Sequence, residues 1–287
     1  MFSAVAAIHR QKGLRLSSEG FGAQGLEGRS IENTGAAAAV APALELATVV
    51  DRSPLRDAPF DHITLQGAFP AAFYREMLAR FPAEPAFHPL YHRDAVRPDG
   101  GSTRQRLYLY PETLWRLPAA QRRIWRRVAA TLCAPALEQA FKRKFRTVLE
   151  ERFQQPVEQI PLYPVPILVR DLPGYRIGIH ADALIKAITV QLYLPRDASQ
   201  LHLGTVFHTS RRADENDRPV TMPFLPATGY AFAVRRKESW HSVPMTTEAD
   251  GERRSIMLTY YVDQAPRAKL RRRLQRLGIF LGRNPRY

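Results

Sequence analysis

A single cysteine occurs in the 287 residues. One thiol can build neither an internal disulfide nor a zinc cluster, so both kinds of scaffold are excluded. Its setting, ATLCAPAL, predicts a buried small hydrophobe at Cys133, and such sparing thiol usage fits a reducing, cytoplasmic compartment. Long apolar runs are missing as well. No stretch reaches the ~20 residues of a transmembrane helix, so no membrane span is expected. The start MFSAVAAIHRQKGLRL is basic and acid-free, but His9, Arg10 and Gln11 interrupt its apolar part. Acids are scarce, 27 against 42 Lys and Arg, for a net charge of +15. Eight bases and no acid lie between Gln264 and Tyr287. Such a balance favours nucleic acid, anionic lipid or acidic ligands. No aromatic–basic stacking surface accompanies it, so a solvated basic surface is the preferred reading and nucleic acid only a secondary partner.

What is present points to strands. Twenty-three prolines argue against a long helical bundle. Residues 1–49, rich in Gly, Ala and Ser and without periodicity, read as a disordered leader. A helical N-terminal part is expected over 50–155: a short strand HITLQ, a helix PAAFYREMLARF opened by Pro70, and two basic helices over 119–151 broken near Pro135. Their expected packing face is Trp125, Val128, Leu132, Leu137 and Phe141. Residues 83–111, with Pro89, Pro98 and Gly100–Gly101, read as an irregular segment suited to a lid. From 156 to 264 short runs rich in Val, Ile, Tyr and Phe follow one another with turn residues between them and no helix, which predicts an antiparallel sandwich or barrel. The remainder, 265–287, reads as a basic helix whose Leu270, Leu274, Leu277 and Leu281 form a stripe, expected to dock on its own domain rather than on a membrane or partner.

The chemistry lies in His180 and Asp182, two apart at the end of the strand pattern YRIGIHAD. Side chains at i and i+2 share a strand face, so one imidazole and one carboxylate can reach one ion. His241 in SWHSVP supplies a third candidate from another strand-like run. Two imidazoles and one carboxylate leave metal positions open, the arrangement of non-haem iron(II) oxygenases, with zinc the competing metal. The pattern H-x-D occurs a second time as His92-Arg93-Asp94, in a proline-rich stretch without alternating flanks, and stands as a rival first pair. Twelve residues after His241, Arg253-Arg254-Ser255 opens the strand RRSIMLTYYV. A dianionic cosubstrate chelating the metal needs its distal carboxylate neutralised, and Arg253 with Ser255 on one strand face could do so. Arg254 is the alternative. In KAITVQLYL, Ile188, Val190, Leu192 and Leu194 make an apolar face, while Thr189, Gln191 and Tyr193 make a hydrogen-bonding one, so Gln191 and Tyr193 are candidate cosubstrate contacts. Arg170, Tyr175 and Lys186 flank the motif as candidate substrate contacts.

The ordered set H-A-D, K-x-x-T-x-Q-x-Y-L-P, L-G-T, T-G-Y-A-F, W-H-S-V and R-R-S resembles the 2-oxoglutarate- and iron(II)-dependent oxygenases, in particular their prolyl-hydroxylase-like bacterial branch. The resemblance covers about residues 160–263, and the opening segment PFDHITLQGAFPAAFYREMLARFP is similar to the prelude of these enzymes. It implies a mainly β fold with α elements, a double-stranded β-helix (jelly roll) core flanked by N-terminal helices. It implies iron ligands at His180, Asp182 and His241, and 2-oxoglutarate held at Arg253. Prolyl hydroxylases carry Lys at that place, so Arg253 departs from the subgroup. The activity implied is hydroxylation of a small-molecule or peptidyl substrate with release of succinate and CO2, with ascorbate a candidate reductant. Rival readings are a nucleic-acid oxidative demethylase, against which the strand LTYYVDQ lacks a further arginine motif, a non-catalytic jelly-roll binding module, and a zinc hydrolase, which would need a general base near the metal.

Overall fold

Alternation along the strand KAITVQLY dictates which way the central sheet faces. Ile188, Val190 and Leu192 fall on one side of the pleat and Thr189, Gln191 and Tyr193 on the other. The apolar side joins the main hydrophobic core with helical residues such as Trp125, Val128 and Phe141. The polar side faces inward, towards a second sheet.

The computed structural model describes residues 41–91, 94–262 and 268–281. In chain order it contains α1 (Ala41–Arg52), β1 (His62–Gln66), α2 (Ala71–Ala79), β2 (His88–Pro89), β3 (Arg104–Tyr108) and α3 (Pro111–Leu114). Next come α4 (Ala119–Leu132), α5 (Pro135–Lys144), α6 (Arg146–Phe153), β4 (Leu162–Asp171), β5 (Ile177–His180) and β6 (Lys186–Tyr193). The last are β7 (Thr205–His208), β8 (Val220–Met222), β9 (Thr228–Ala233), β10 (Trp240–Val243), β11 (Arg253–Val262) and α7 (Ala268–Phe280). A seven-stranded sheet runs β1-β9-β6-β11-β4-β3-β2 and a four-stranded sheet β5-β10-β7-β8. Every pairing is antiparallel. This is the jelly-roll architecture, with helices covering the outer face of the larger sheet.

Two glycines show how tightly the strands meet. A Cβ on Gly229 would overlap the Gln191 carbonyl where β9 lies against β6, and one on Gly204 would overlap the Met222 carbonyl. Both belong to the L-G-T and T-G-Y-A-F motifs, so a close backbone approach accounts for these glycines. On the helical side Trp125 is fully buried, and its indole Nε1–H donates to the Arg80 carbonyl at 2.8 Å.

Five expectations change. The leader does not extend to residue 49, because α1 begins at Ala41 and buries Leu46, Val49 and Val50 in the core; residues 1–40 lie outside the described residues. The 83–111 segment is not wholly irregular: it contains β3, paired to β4 inside the large sheet. Its pattern RQRLY offers only Leu107 to the apolar side, too little hydrophobic alternation to announce a strand. The basic region over 119–151 forms three helices rather than two, with the second break at Phe145. Cys133 is exposed, since it caps the end of α4, off the face that buries Ile124, Trp125, Val128 and Leu132. The leucine stripe of α7 also behaves contrary to expectation. Leu270, Leu274, Leu277 and Leu281 are all exposed, and α7 contacts the body through Arg276, which is bonded to Glu112, Arg272, which lies over the Tyr163 ring, and Ile279, which packs against the cluster of Tyr108, Val165 and Ile167.

Candidate metal centre

β5 and β10 are neighbours in the small sheet, and their register sets His241 directly opposite His180. The ring centroids are 4.2 Å apart. Each imidazole is fixed by its own backbone: His180 Nδ1 lies 3.0 Å from the Gly178 carbonyl, and His241 Nδ1 lies 3.0 Å from the Ser239 carbonyl. A carbonyl only accepts, so Nδ1 carries the proton and the lone pair sits on Nε2. Burial pushes the His241 pKa down to about 4, with the neighbouring His180 adding to the depression and Asp182 opposing it. Burial lowers His180 too, aided by the charges of Lys186 and Arg104. Both rings are therefore neutral at pH 7, as metal ligands must be.

Asp182 follows β5 by two residues, and its side chain is 6% exposed. Lys186 Nζ donates to Oδ1 at 2.5 Å and Thr189 Oγ1 donates to Oδ2 at 2.6 Å. Burial alone would raise this carboxyl's pKa. The Lys186 charge and these hydrogen bonds outweigh it and hold the group well below the ordinary range, hence ionised. One ligand atom from each of His180, Asp182 and His241 lies within 4.8 Å of the others. Each carboxylate oxygen has two lone pairs, so a proton donor and a cation can share it. Two neutral imidazoles, one carboxylate and an open side suit a divalent first-row metal. The rival pair cannot be compared, because His92 and Arg93 lie outside the described residues. Asp94 accepts a hydrogen bond from Gly178 N at 3.1 Å.

The open side is a cavity of about 410 Å³ between the two sheets. Arg253 lines it and is 1% exposed. Its Nε donates to the Leu203 carbonyl at 2.9 Å and its Nη1 to Asp171 Oδ2 at 2.8 Å, while Nη2 is buried without a hydrogen-bond partner. Phe224 and Tyr193 pack on the guanidinium at 4.6 and 5.4 Å. Arg254 points the other way, to Glu252 and the Phe81 ring. Gln191 lines the cavity and donates to Ser255 Oγ at 2.5 Å. Ser255 and Tyr193 stand behind the wall: the Tyr193 hydroxyl accepts from Thr205 N at 3.0 Å and donates to the Met222 carbonyl at 3.3 Å. Of the flanking candidates, Tyr175 and Lys186 line the cavity, whereas Arg170 is turned away to Glu252 and Gln105.

Sequence reasoning missed Arg104 and Arg106 on β3 and Thr205 and Tyr230 near Arg253, all of which line the same cavity. The alternation R-Q-R-L-Y was the one available signal for the arginines. A further chain of contacts, Ser242 Oγ to His208 Nε2 at 2.8 Å and His208 Nδ1 to Asp217 Oδ2 at 2.6 Å, resembles a hydrolytic triad. None of the three lines the cavity, and Asp217 also accepts from Thr209 N and Oγ1, so these bonds tie the β7–β8 loop to β10. Among the described lining residues Asp182 is the only carboxylate, so a zinc hydrolase would find no second one to serve as base.

No family model matches the chain, and no curated protein matches it. Solved structures do. A prolyl hydroxylase from Trichoplax adhaerens, in complex with a hypoxia inducible factor peptide fragment, is similar at TM-score 0.50 and 12% identity, over 76% of this chain and 90% of that one. A Pseudomonas putida prolyl-4-hydroxylase is similar at TM-score 0.47 and 19% identity, over 75% and 98%. An oxidoreductase of the 2OG-Fe(II) oxygenase family from Burkholderia pseudomallei is similar at TM-score 0.43 and 16% identity, over 76% and 89%. At such identities likeness speaks for the fold, and the first of the three carries it: the chain has the jelly-roll fold of that prolyl hydroxylase.

Proposed function

We propose that the chain is an iron(II)- and 2-oxoglutarate-dependent oxygenase that hydroxylates its substrate with release of succinate and CO2. The observation that carries the reading is the meeting of His180, Asp182 and His241 at the wall of a cavity that also presents a buried, unpartnered Arg253 Nη2. His180, Asp182 and His241 would hold the metal, which when bound supplies the reduction of dioxygen coupled to decarboxylation of the keto acid. The protein's part is positional. The Gly178 and Ser239 carbonyls aim the two imidazoles, and Thr189 orients the carboxylate. Arg253 keeps one N–H pair for a carboxylate, its other donors being held by Leu203 and Asp171. The aromatic packing of Tyr193 and Phe224 keeps that guanidinium from swinging. A small-molecule substrate suits the cavity, whose volume lies near the lower end of the ~300–1,000 Å³ of ligand pockets. A peptidyl substrate, as the Trichoplax neighbour binds, is the second reading.

Anaerobic addition of iron(II) and 2-oxoglutarate tests the proposal. The expected result is a metal-to-ligand charge-transfer band in the wild type that is lost in His180→Ala. An unchanged wild-type spectrum would remove the oxygenase reading and leave a jelly-roll binding module.

A further inference from the structure

α7 presents two unlike faces. At about 100° per residue, Leu270, Leu274, Leu277 and Leu281 fall within about 60° of one another, and Arg272 and Ile279 fall on the opposite side. That opposite side holds the helix to the body: Arg272 lies over the Tyr163 ring and Ile279 packs against Tyr108, Val165 and Ile167. Arg276, bonded to Glu112, adds a third anchor. The four leucines are each more than half exposed. The stripe points away from the body because its anchors lie across the helix from it.

Charge surrounds the stripe. Eight bases and no acid lie between Gln264 and Tyr287. Arg273 shares the leucines' side of the helix, is exposed, and pairs with no acid among the described residues. It lines a groove between α7 and α4 together with Arg126, which is also exposed and without an acidic partner among the described residues. Glu112, the acid on the neighbouring α3, is taken by Arg276.

An occupant of this face must offer an apolar phase and negative charge together. The alternating four- and three-residue steps of the leucines would also suit a coiled-coil seam, but a second copy would set cations against cations. Nucleic acid would take the arginines and leave the leucines in water. An anionic bilayer meets both needs, with phosphates for the guanidinium fork and acyl chains for the leucines. The 13 residues of α7 span roughly 20 Å, short of the ~30 Å hydrocarbon layer, so the helix would lie along the surface.

We propose that α7 docks the protein on the surface of an anionic lipid bilayer, its four leucines entering the apolar layer and Arg273 standing among the headgroup phosphates. Docking needs neither metal nor cosubstrate, so it stands apart from the oxygenase reading.

Flotation of the full chain with vesicles tests this, comparing equimolar phosphatidylcholine and phosphatidylglycerol with phosphatidylcholine alone. Binding to the anionic vesicles is expected to be about tenfold or more tighter, and to weaken as salt rises. Leu274→Gln with Leu277→Gln, which keeps helix propensity, should weaken it about tenfold or more. Arg273→Gln should weaken it about fivefold. Leu274→Met with Leu277→Met, still apolar, should bind like the wild type, which separates membrane contact from damage to the helix. Leu55→Ser, at an exposed leucine outside α7, should leave binding unchanged. No preference for anionic vesicles, full binding by the glutamine variant, or equal loss in the methionine variant would overturn the docking surface. So would a leucine-dependent dimer in sedimentation, which would assign the stripe to a second copy, or binding of duplex DNA with none to vesicles.

Discussion

His241 loses most of its basicity to burial, and the sign of the consequence follows from linkage. Its folded pKa is about 4, against 6.5 for the free side chain, so between those values the unfolded chain binds the proton that the folded one refuses. Stability is therefore complete above pH 6.5 and drains away as pH falls towards 4, by at most about 1.4 kcal/mol per pH unit from this group. Denaturant unfolding of the metal-free protein from pH 7 to 4.5 should show that slope, and His241→Gln should flatten it. A variant profile as steep as the wild type's would contradict the assignment. Arg253 makes the other prediction at this scale. Arg253→Gln should raise KM for 2-oxoglutarate about 10- to 100-fold, the worth of a charge-assisted hydrogen bond, with a smaller effect on kcat. Arg254→Gln, altering a side chain paired with Glu252 and turned from the cavity, should leave KM within about twofold.

Between elements, the β6–β9 contact leaves no room for a side chain at Gly229. Gly229→Ala would drive a methyl into the Gln191 carbonyl on the neighbouring strand, and Gln191 is one wall of the cavity. We expect a loss of about 1–3 kcal/mol in equilibrium unfolding, as for other overpacking changes, together with weakened cosubstrate binding. On the opposite face, Trp125→Ala should cost about 3–5 kcal/mol through a cavity in the helix–sheet core, with little change in metal affinity measured above the transition. Equal effects of both substitutions on metal binding would mean that the two faces of the sheet are not independent.

For the molecule as a whole, charge and apolar surface are distributed unlike those of a helix docked by its leucines. α7 meets the body through Arg272, Arg276 and Ile279 and leaves Leu274 and Leu277 59% and 52% exposed. Leu274→Ser with Leu277→Ser should therefore change unfolding free energy by less than about 0.5 kcal/mol each. A loss of several kcal/mol would show that this stripe is covered by the protein itself. No helix among the described residues is long and apolar enough to cross a membrane.

Much of this arrangement is written in local order. The alternation of Ile188, Val190 and Leu192 with Thr189, Gln191 and Tyr193 states which side of β6 is dry, whereas Asp182 lies two residues past the end of β5 and reaches the His180 ring from a loop, not from a shared strand face. Strand periodicity is a property of neighbouring residues, so sequence alone determined it. Local order could not say that His241, 61 positions after His180, would land in register with it, nor that Arg253 rather than Arg254 would face the cavity. It also hid β3, whose arginines carry no hydrophobic signature. Those outcomes depend on which distant strands become neighbours and which face the helices cover, and only the packing of the two sheets decides that.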